Sequence, residues 1–525
     1  MAELAFERLL AGLEAARGTP ADPPTRYLNL SGMLSPRKSR YRPVESSGTL
    51  AEYQRSIDVR RWSEFEGEGG LDVYTLPLLL NSIAKGGVAA PVHPAGGLVG
   101  VLDLLEDVAD GETVTIGADT YQIDIINTDS TDNTAGGSWN NTTDPLTVDC
   151  TGMALLALVS AGDLLRIGTE IMKIISIDPL TDEIVFARGR CGTSAAAHAD
   201  AQDIYLSDAP GMLDIPVGLV TTLTAVAFAD ALVDEIDEAG TEDVTTVLTT
   251  PAPGDRSIEV IAGAQQALIA TSETLSGAGN AWQAGSVRNL LWDFSPSMAS
   301  DDLQSLTLYW GDPGVQEFRA SYCLLDELSI SADTSGTDGV TMSLNGQGRF
   351  PSKTAPAGVP STLNSPMLLP TAMEVWIDTA VIGSTALTGR VVSAEITVPS
   401  GVTRKWLASG PSGGLDFVTI GRGKRHAELK LVLEVPDMTQ YDQWVASDVL
   451  KVRVRFNGAA INSYGSPAAA SYYYVEFDIY GPFETLDWGE FEGSNRTVEL
   501  TILSEEDRVA GHDWAPRVQS NLATL

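Results

Sequence analysis

Several residue groups in this chain have types that could do chemistry. His198 follows a run of alanines, with Asp200 two positions on. A hydrolytic role would need a nucleophile within hydrogen-bond reach of that imidazole. No Gly-x-Ser-x-Gly, His-Glu-x-x-His or Gly-x-x-x-x-Gly-Lys-Ser/Thr pattern supplies a known site of that kind. Residues 127–133 (NTDSTDN) begin like a calcium loop, but the sixth residue from Asp129 is Thr134 and the twelfth is Asn140, where Gly and Glu are required. Glu66/Glu68 and Asp234/Glu235 have the types of a glycosidase pair. With 70 acids in 525 residues, such pairs arise by chance. Four His and three Cys (150, 191 and 323) argue against a His/Cys metal centre and against a disulfide framework; three free thiols are expected. The expectation is no enzyme, no cofactor and no metal.

One basic cluster remains: Arg37, Lys38, Arg40 and Arg42, followed by Arg55, Arg60 and Arg61. Residues 1–94 carry 11 acids and 11 bases, and the whole chain has a net charge of −37. A chain this acidic is a poor partner for phosphate backbones or anionic membranes. The cluster therefore reads as a loop that docks on an acidic neighbour. Arg404, Lys405 and Trp406 mark a second such loop. No apolar run approaches the roughly 20 residues of a membrane span. The first residues lack the basic and apolar regions of a signal peptide, so the expected location is the cytoplasm where the chain is made.

The elements that must position these loops are mostly strands. Stretches 453–456, 475–479, 497–502 and 327–331 alternate apolar with polar residues, the period of a half-buried strand. Short helices are expected over 3–17, over 73–84 behind Asp72, over 226–239 with an acidic outer face, and over 437–446 behind Asp437. Pro77 is expected to disturb the second of these.

Two parts of the chain share a plan. A strand near 27–34, a polar loop at 36–56, strands at 56–72, and a helix are matched by a strand at 389–398, a loop at 399–415, strands at 416–435, and a helix. Closing hairpins are expected from 322–332 with 339–348, and from 471–480 with 495–503. The stretch between the copies differs in kind: residues 95–285 hold 30 acids and only 5 bases, the mark of an inserted module. The division expected is a first domain at 1–94 and 286–357, an α+β insert at 95–145 and 209–285, a small β module nested at 146–208, and a second copy at 358–525.

The order and spacing of residues 18–28, 45–50, 60–68 (RRWSEFEGE) and 322–346 resemble the major tail tube proteins of long-tailed, siphovirus-type bacteriophages. The likeness is to the version with two tube domains in one chain, over about three fifths of the sequence. The insert, with Arg188-Gly-Arg-Cys-Gly-Thr-Ser-Ala-Ala-Ala-His198, is similar to small β modules of phage tail and fibre proteins. The resemblance implies a mainly β fold of two tandem antiparallel β-sandwich or barrel domains, each with a short helix, plus the nested insert. It implies a structural virion protein of the viral tail whose trimers form rings of pseudo-sixfold symmetry. Those rings stack into a tube around the tape-measure protein, are assembled in the host cytoplasm, and later pass DNA without binding it. Ring-stacking contacts are then expected from Arg37, Lys38, Arg40, Arg42, Glu45, Arg55, Arg404, Lys405 and Trp406. Lumen-facing positions are expected at Glu327, Ser329, Ser331, Glu476, Asp478 and Glu499. The insert is expected to decorate the outside. The competing reading is a tail-tip or fibre-like host-binding adhesin.

Overall fold

A computed structural model describes residues 8–42, 56–84, 90–109, 111–124, 130–134, 143–149, 159–190, 193–198, 203–206, 213–216, 224–252, 255–283, 288–296, 303–358, 360, 363, 365–408, 411–435, 437–461, 472–492 and 495–525. The fold is mainly β, with several antiparallel sheets, none closed into a barrel. Three α-helices are described: α1 (Leu76–Ile83), α2 (Ala225–Ala239) and α3 (Thr439–Ala446). The chain forms two compact units. One comprises 1–91, 291–460 and 472–525; the other comprises 92–290 and 461–471. Both copies of the repeated plan therefore fall in the first unit.

The main strands of that unit, in chain order, are β1 (Arg8–Leu13), β2 (Arg26–Leu28), β3 (Ser31–Tyr41), β4 (Ile57–Gly70), β5 (Leu306–Asp312), β6 (Gln316–Asp333) and β7 (Thr341–Gly348) for the first copy. The second copy has β8 (Met373–Asp378), β9 (Val391–Pro399), β10 (Val402–Lys405), β11 (Thr419–Arg422), β12 (Glu428–Glu434), β13 (Leu450–Ala460), β14 (Tyr472–Gly481), β15 (Phe483–Glu492), β16 (Asn495–Leu503) and β17 (Trp514–Ser520).

The duplication is visible in the strand order. The first copy runs β3-β4-β7-β6 and the second runs β9-β12-β16-β15. Antiparallel pairing of β6 with β9, from Glu327 opposite Pro399 to Asp333 opposite Ser393, joins the two halves into one run of eight strands. Behind each half lies a second layer: β2-β1-β5-β6 in the first copy, and β8-β13-β14-β17 in the second. Each strand of the run is amphipathic at period two. Leu328, Ile330, Ile396, Leu429, Val498 and Leu500 are buried, while their neighbours are polar.

The 18-residue β6 serves both layers, and it changes layer at Tyr322, whose backbone is left-handed (φ 53°). Such a conformation costs a bulky residue roughly 1–3 kcal/mol. The buried Glu14 carboxylate helps hold it, accepting from the Tyr322 amide at 2.7 Å. In the second copy the same path is split into β14 and β15 at Gly481-Pro482. The closing hairpin of that copy is therefore β15 with β16, not the expected 471–480 with 495–503; β14 pairs with β13 and β17 instead.

Two helix expectations need revision. Residues 8–13 form β1, paired on both edges by β2 and β5, because Leu9, Leu10 and Ala11 are all buried between layers rather than on one face. Residues 3–7 lie outside the described residues. Pro77 does not disturb α1, since it falls in the first turn, where a helix needs no N–H. Asp72 organises that turn, accepting from Tyr74 N at 2.7 Å and Thr75 Oγ1 at 2.9 Å.

The second unit contains a hairpin of Thr113–Ile116 with Asp119–Asp124, and a sheet holding Val244–Thr249, Arg256–Ala262 and Leu98–Leu104. Helix α2 supplies Phe228, Leu232 and Ile236 to the core with Val99, Tyr121 and Val260. The expected strand at 265–271 is two short pieces, Gln266–Ala267 and Thr271–Glu273. The nested module is a six-stranded sheet around Ile167, Met172, Phe186 and Ile204. Its outermost strand, Ser130–Thr134, comes from outside 146–208.

Candidate assembly surface

The eight-stranded run presents a continuous polar face. Cross-strand register aligns Thr341, Ser331, Glu395, Lys430, Thr501 and Thr485 in one row from β7 to β15. A second row aligns Glu68, Ser343, Ser329, Thr397 and Glu428. Ser329 and Thr397 touch across the junction of the copies, with hydroxyl oxygens 3.1 Å apart. Carboxylates dominate: Glu66, Glu68, Glu327, Glu395, Glu428, Asp487 and Glu499 all point to this side. Lys430 lies between Glu428 (3.4 Å) and Glu395 (3.8 Å), and those carboxylates raise its affinity for the proton. The candidates Glu327, Ser329, Ser331 and Glu499 therefore share one surface.

Glu476 and Asp478 do not belong to it. They lie on β14 in the backing layer and are buried. Asp478 accepts from Arg453 Nε at 2.7 Å and Arg517 Nη1 at 2.9 Å; Glu476 accepts from Arg455 Nε at 2.8 Å and Arg517 Nη1 at 2.9 Å. Burial works against the Arg517 cation, yet Asp478, Asp293 and Glu476 hold it above the ordinary guanidinium range. Alternation along β14 marks these acids as facing away from Val475, Phe477 and Ile479; it cannot tell that arginines of the neighbouring strands β13 and β17 stand opposite them on that side.

The basic residues also divide. Arg37, Lys38 and Arg40 are not in a loop: β3 and β4 form a long hairpin, and these side chains lie on its arm. Each is paired with an acid of the partner strand, Arg37 with Glu64 (2.7 Å), Lys38 with Asp58 (2.9 Å) and Arg40 with Asp58 (2.8 Å), all at the surface. Such solvent-screened pairs add little to stability. Arg42 is exposed just beyond β3. Glu45 and Arg55 lie outside the described residues.

The second loop is not extended in this way. It bends after β9 and forms the small β10–β11 ladder, which lies against the first copy. Val402, Trp406 and Ile420 pack on Leu303, Tyr322, Leu324 and Phe417. Arg404 is buried and donates to Asp326 at 2.6 Å and to the Leu324 carbonyl at 3.0 Å. Burial raises the Asp326 carboxyl above its usual range, with Arg404 opposing that rise. Arg422 donates to the Ile83 carbonyl near the end of α1 at 3.1 Å. Arg61 of β4 grips Asp416 through two bonds of 2.8 and 3.1 Å, and Arg60 stacks over Trp406. Arg404 and Trp406 thus hold the two copies of one chain together; Lys405 alone of the three stays exposed.

The ends of the eight-strand run differ from its middle. Among the described residues, β3 pairs only with β4, and β15 only with β16. Exposed apolar side chains gather near both ends: Met33, Tyr41, Ile57 and Val59 on the β3–β4 arm, and Tyr441, Val445 and Trp488 around α3 and β15. Trp488 stacks on Tyr441, with ring centroids 6.4 Å apart. Sequence reasoning missed this patch and the Arg61–Asp416 clasp. The aromatic spacing was readable, but which strand ended the run was not.

His198 is buried. Its imidazole lies 2.7 Å from Glu170 in the nested module, beside Arg188. Asp200 lies outside the described residues. No protein-family profile and no curated protein matches the chain.

Proposed function

We propose that this chain is a self-assembling structural subunit of a bacteriophage tail tube, joining copies of itself side by side into closed rings that stack. The observation carrying this reading is the β6–β9 junction. It joins the end strand of one half to the first strand of an equivalent half, and the same two kinds of edge recur at β15 and β3. A head-to-tail contact that repeats with rotation generates a ring, and it removes the sheet edges that otherwise invite aggregation. Three chains of eight strands would supply 24 strands to such a ring.

The acidic face supports the conduit role. A wall lined by Glu66, Glu68, Glu327, Glu395, Glu428 and Glu499 repels a passing phosphate backbone rather than binding it. In this reading the ring surrounds the tape-measure protein and lies in the virion tail. The 92–290 unit contributes none of the eight strands and is assigned to decorating the tube.

Negative-stain electron microscopy across a protein concentration series tests the proposal. Rings or hollow tubes of constant diameter are expected. Discrete, non-stacking particles with a closed end would replace it with a tail-tip adhesin, present in a handful of copies per virion.

A further inference from the structure

We infer that β15 of one chain pairs antiparallel with β3 of the next in a fixed register, with Trp488 opposite Leu34, Asp487 opposite Ser35 and Gly489 opposite Met33. The inference rests on the ring reading and names its interface. It is derived from the internal repeat. In the first copy, Leu328 and Ile330 of β6 face Leu344 and Met342 of β7. In the second, Leu486 and Trp488 of β15 face Leu500 and Val498 of β16. Both hairpins carry an irregularity at the same step, between Leu325 and Glu327 and between Phe483 and Thr485. Trp488 is therefore the counterpart of Ile330. On the receiving side, Leu34 faces Phe65 in β3–β4 as Ile396 faces Leu429 in β9–β12. Since Ile330 pairs with Ile396, Trp488 meets Leu34.

This register explains an exposure that the isolated chain leaves odd. Ile330 is 1% exposed because the second copy covers it, whereas Trp488, on the same buried-facing side, is 39% exposed. Faces also match: Leu34, like Trp488, belongs to the apolar side, and Ser35, like Asp487, belongs to the polar side.

Cysteine cross-linking of the full-length chain tests the register. The pair Ser35→Cys with Asp487→Cys should form a disulfide between chains in assembled material, giving a non-reducing ladder that ends at three chains. Ser329→Cys with Thr397→Cys, the equivalent pair inside one chain, is the positive control. Met33→Cys with Asp487→Cys, slipped by two residues, should not link. Rings in which the slipped pair links, or neither pair does, overturn the register while leaving ring formation standing. Absence of rings at every concentration overturns the ring reading and this interface with it.

Discussion

Five donors converge on Glu170 in the nested module: Arg188 Nε (2.8 Å) and Nη2 (2.5 Å), the amides of Gly189 (3.1 Å) and Ala196 (2.8 Å), and His198 Nε2 (2.7 Å). Residues 188–189 and 196–198 thus gather around one buried carboxylate. The residue types were readable, but their common partner lies 18 to 28 positions earlier and had no signal of its own. Burial opposes ionisation of Glu170, yet Arg188, Ala196 and His198 together hold its carboxyl below the usual value of 4.5. A depressed carboxyl stabilises the fold above its unfolded pKa and loses that contribution as pH falls through the folded one. Glu170→Gln should destabilise the module by about 3–5 kcal/mol at pH 7, and the deficit should shrink below pH 4.5 in thermal melts. Glu259 behaves oppositely. It is buried between Val101 and Val247 with Oε1 unpartnered, and burial raises its carboxyl. Its favourable neutral form is complete below 4.5 and is lost as pH rises through the folded value. Glu259→Gln should therefore raise the melting temperature at pH 7 by the equivalent of about 1–2 kcal/mol, and leave it unchanged at pH 4.

At the scale of elements, alternation located the strands of the polar face but not their layer. Glu327 and Glu476 have the same local pattern, yet one lies on the open face of the long run and the other under Arg453, Arg455 and Arg517. The apolar spacing of residues 4–13 matched a helix because β1 is buried on both sides, and a doubly buried strand carries no period of two. The loop at 399–415 was legible as a counterpart of 36–56. Its bent and docked state was not, since it depends on Asp326, Tyr322 and Arg61, all far away in sequence. That docking predicts a local effect. Arg404→Ala should cost about 1–3 kcal/mol by leaving Asp326 and two carbonyls short of a donor. It should also increase hydrogen exchange in β10 and β11 before the eight-stranded run responds. Uniform loss of protection across the unit would show that the β10–β11 ladder is not a separable element.

For the whole molecule, the repeat is the feature that sequence and structure share most fully. Strand orders β3-β4-β7-β6 and β9-β12-β16-β15 are the same plan twice, fused at β6–β9. The net charge was less informative than it looked, because residues 95–285 alone account for −25 of the −37. The acidic character assigned to the conduit comes instead from a few glutamates brought into rows by register. Those rows could not be drawn without knowing which strands are neighbours. The central claim is that the junction inside each chain is repeated between chains. Cryo-electron microscopy of assembled material measures this most directly. The account predicts three chains per ring and a closed wall of 24 strands in which β15 of each chain pairs with β3 of the next, acidic face inward. An assembly in which β3 and β15 stay unpaired, or in which the glutamate rows face outward, would contradict it.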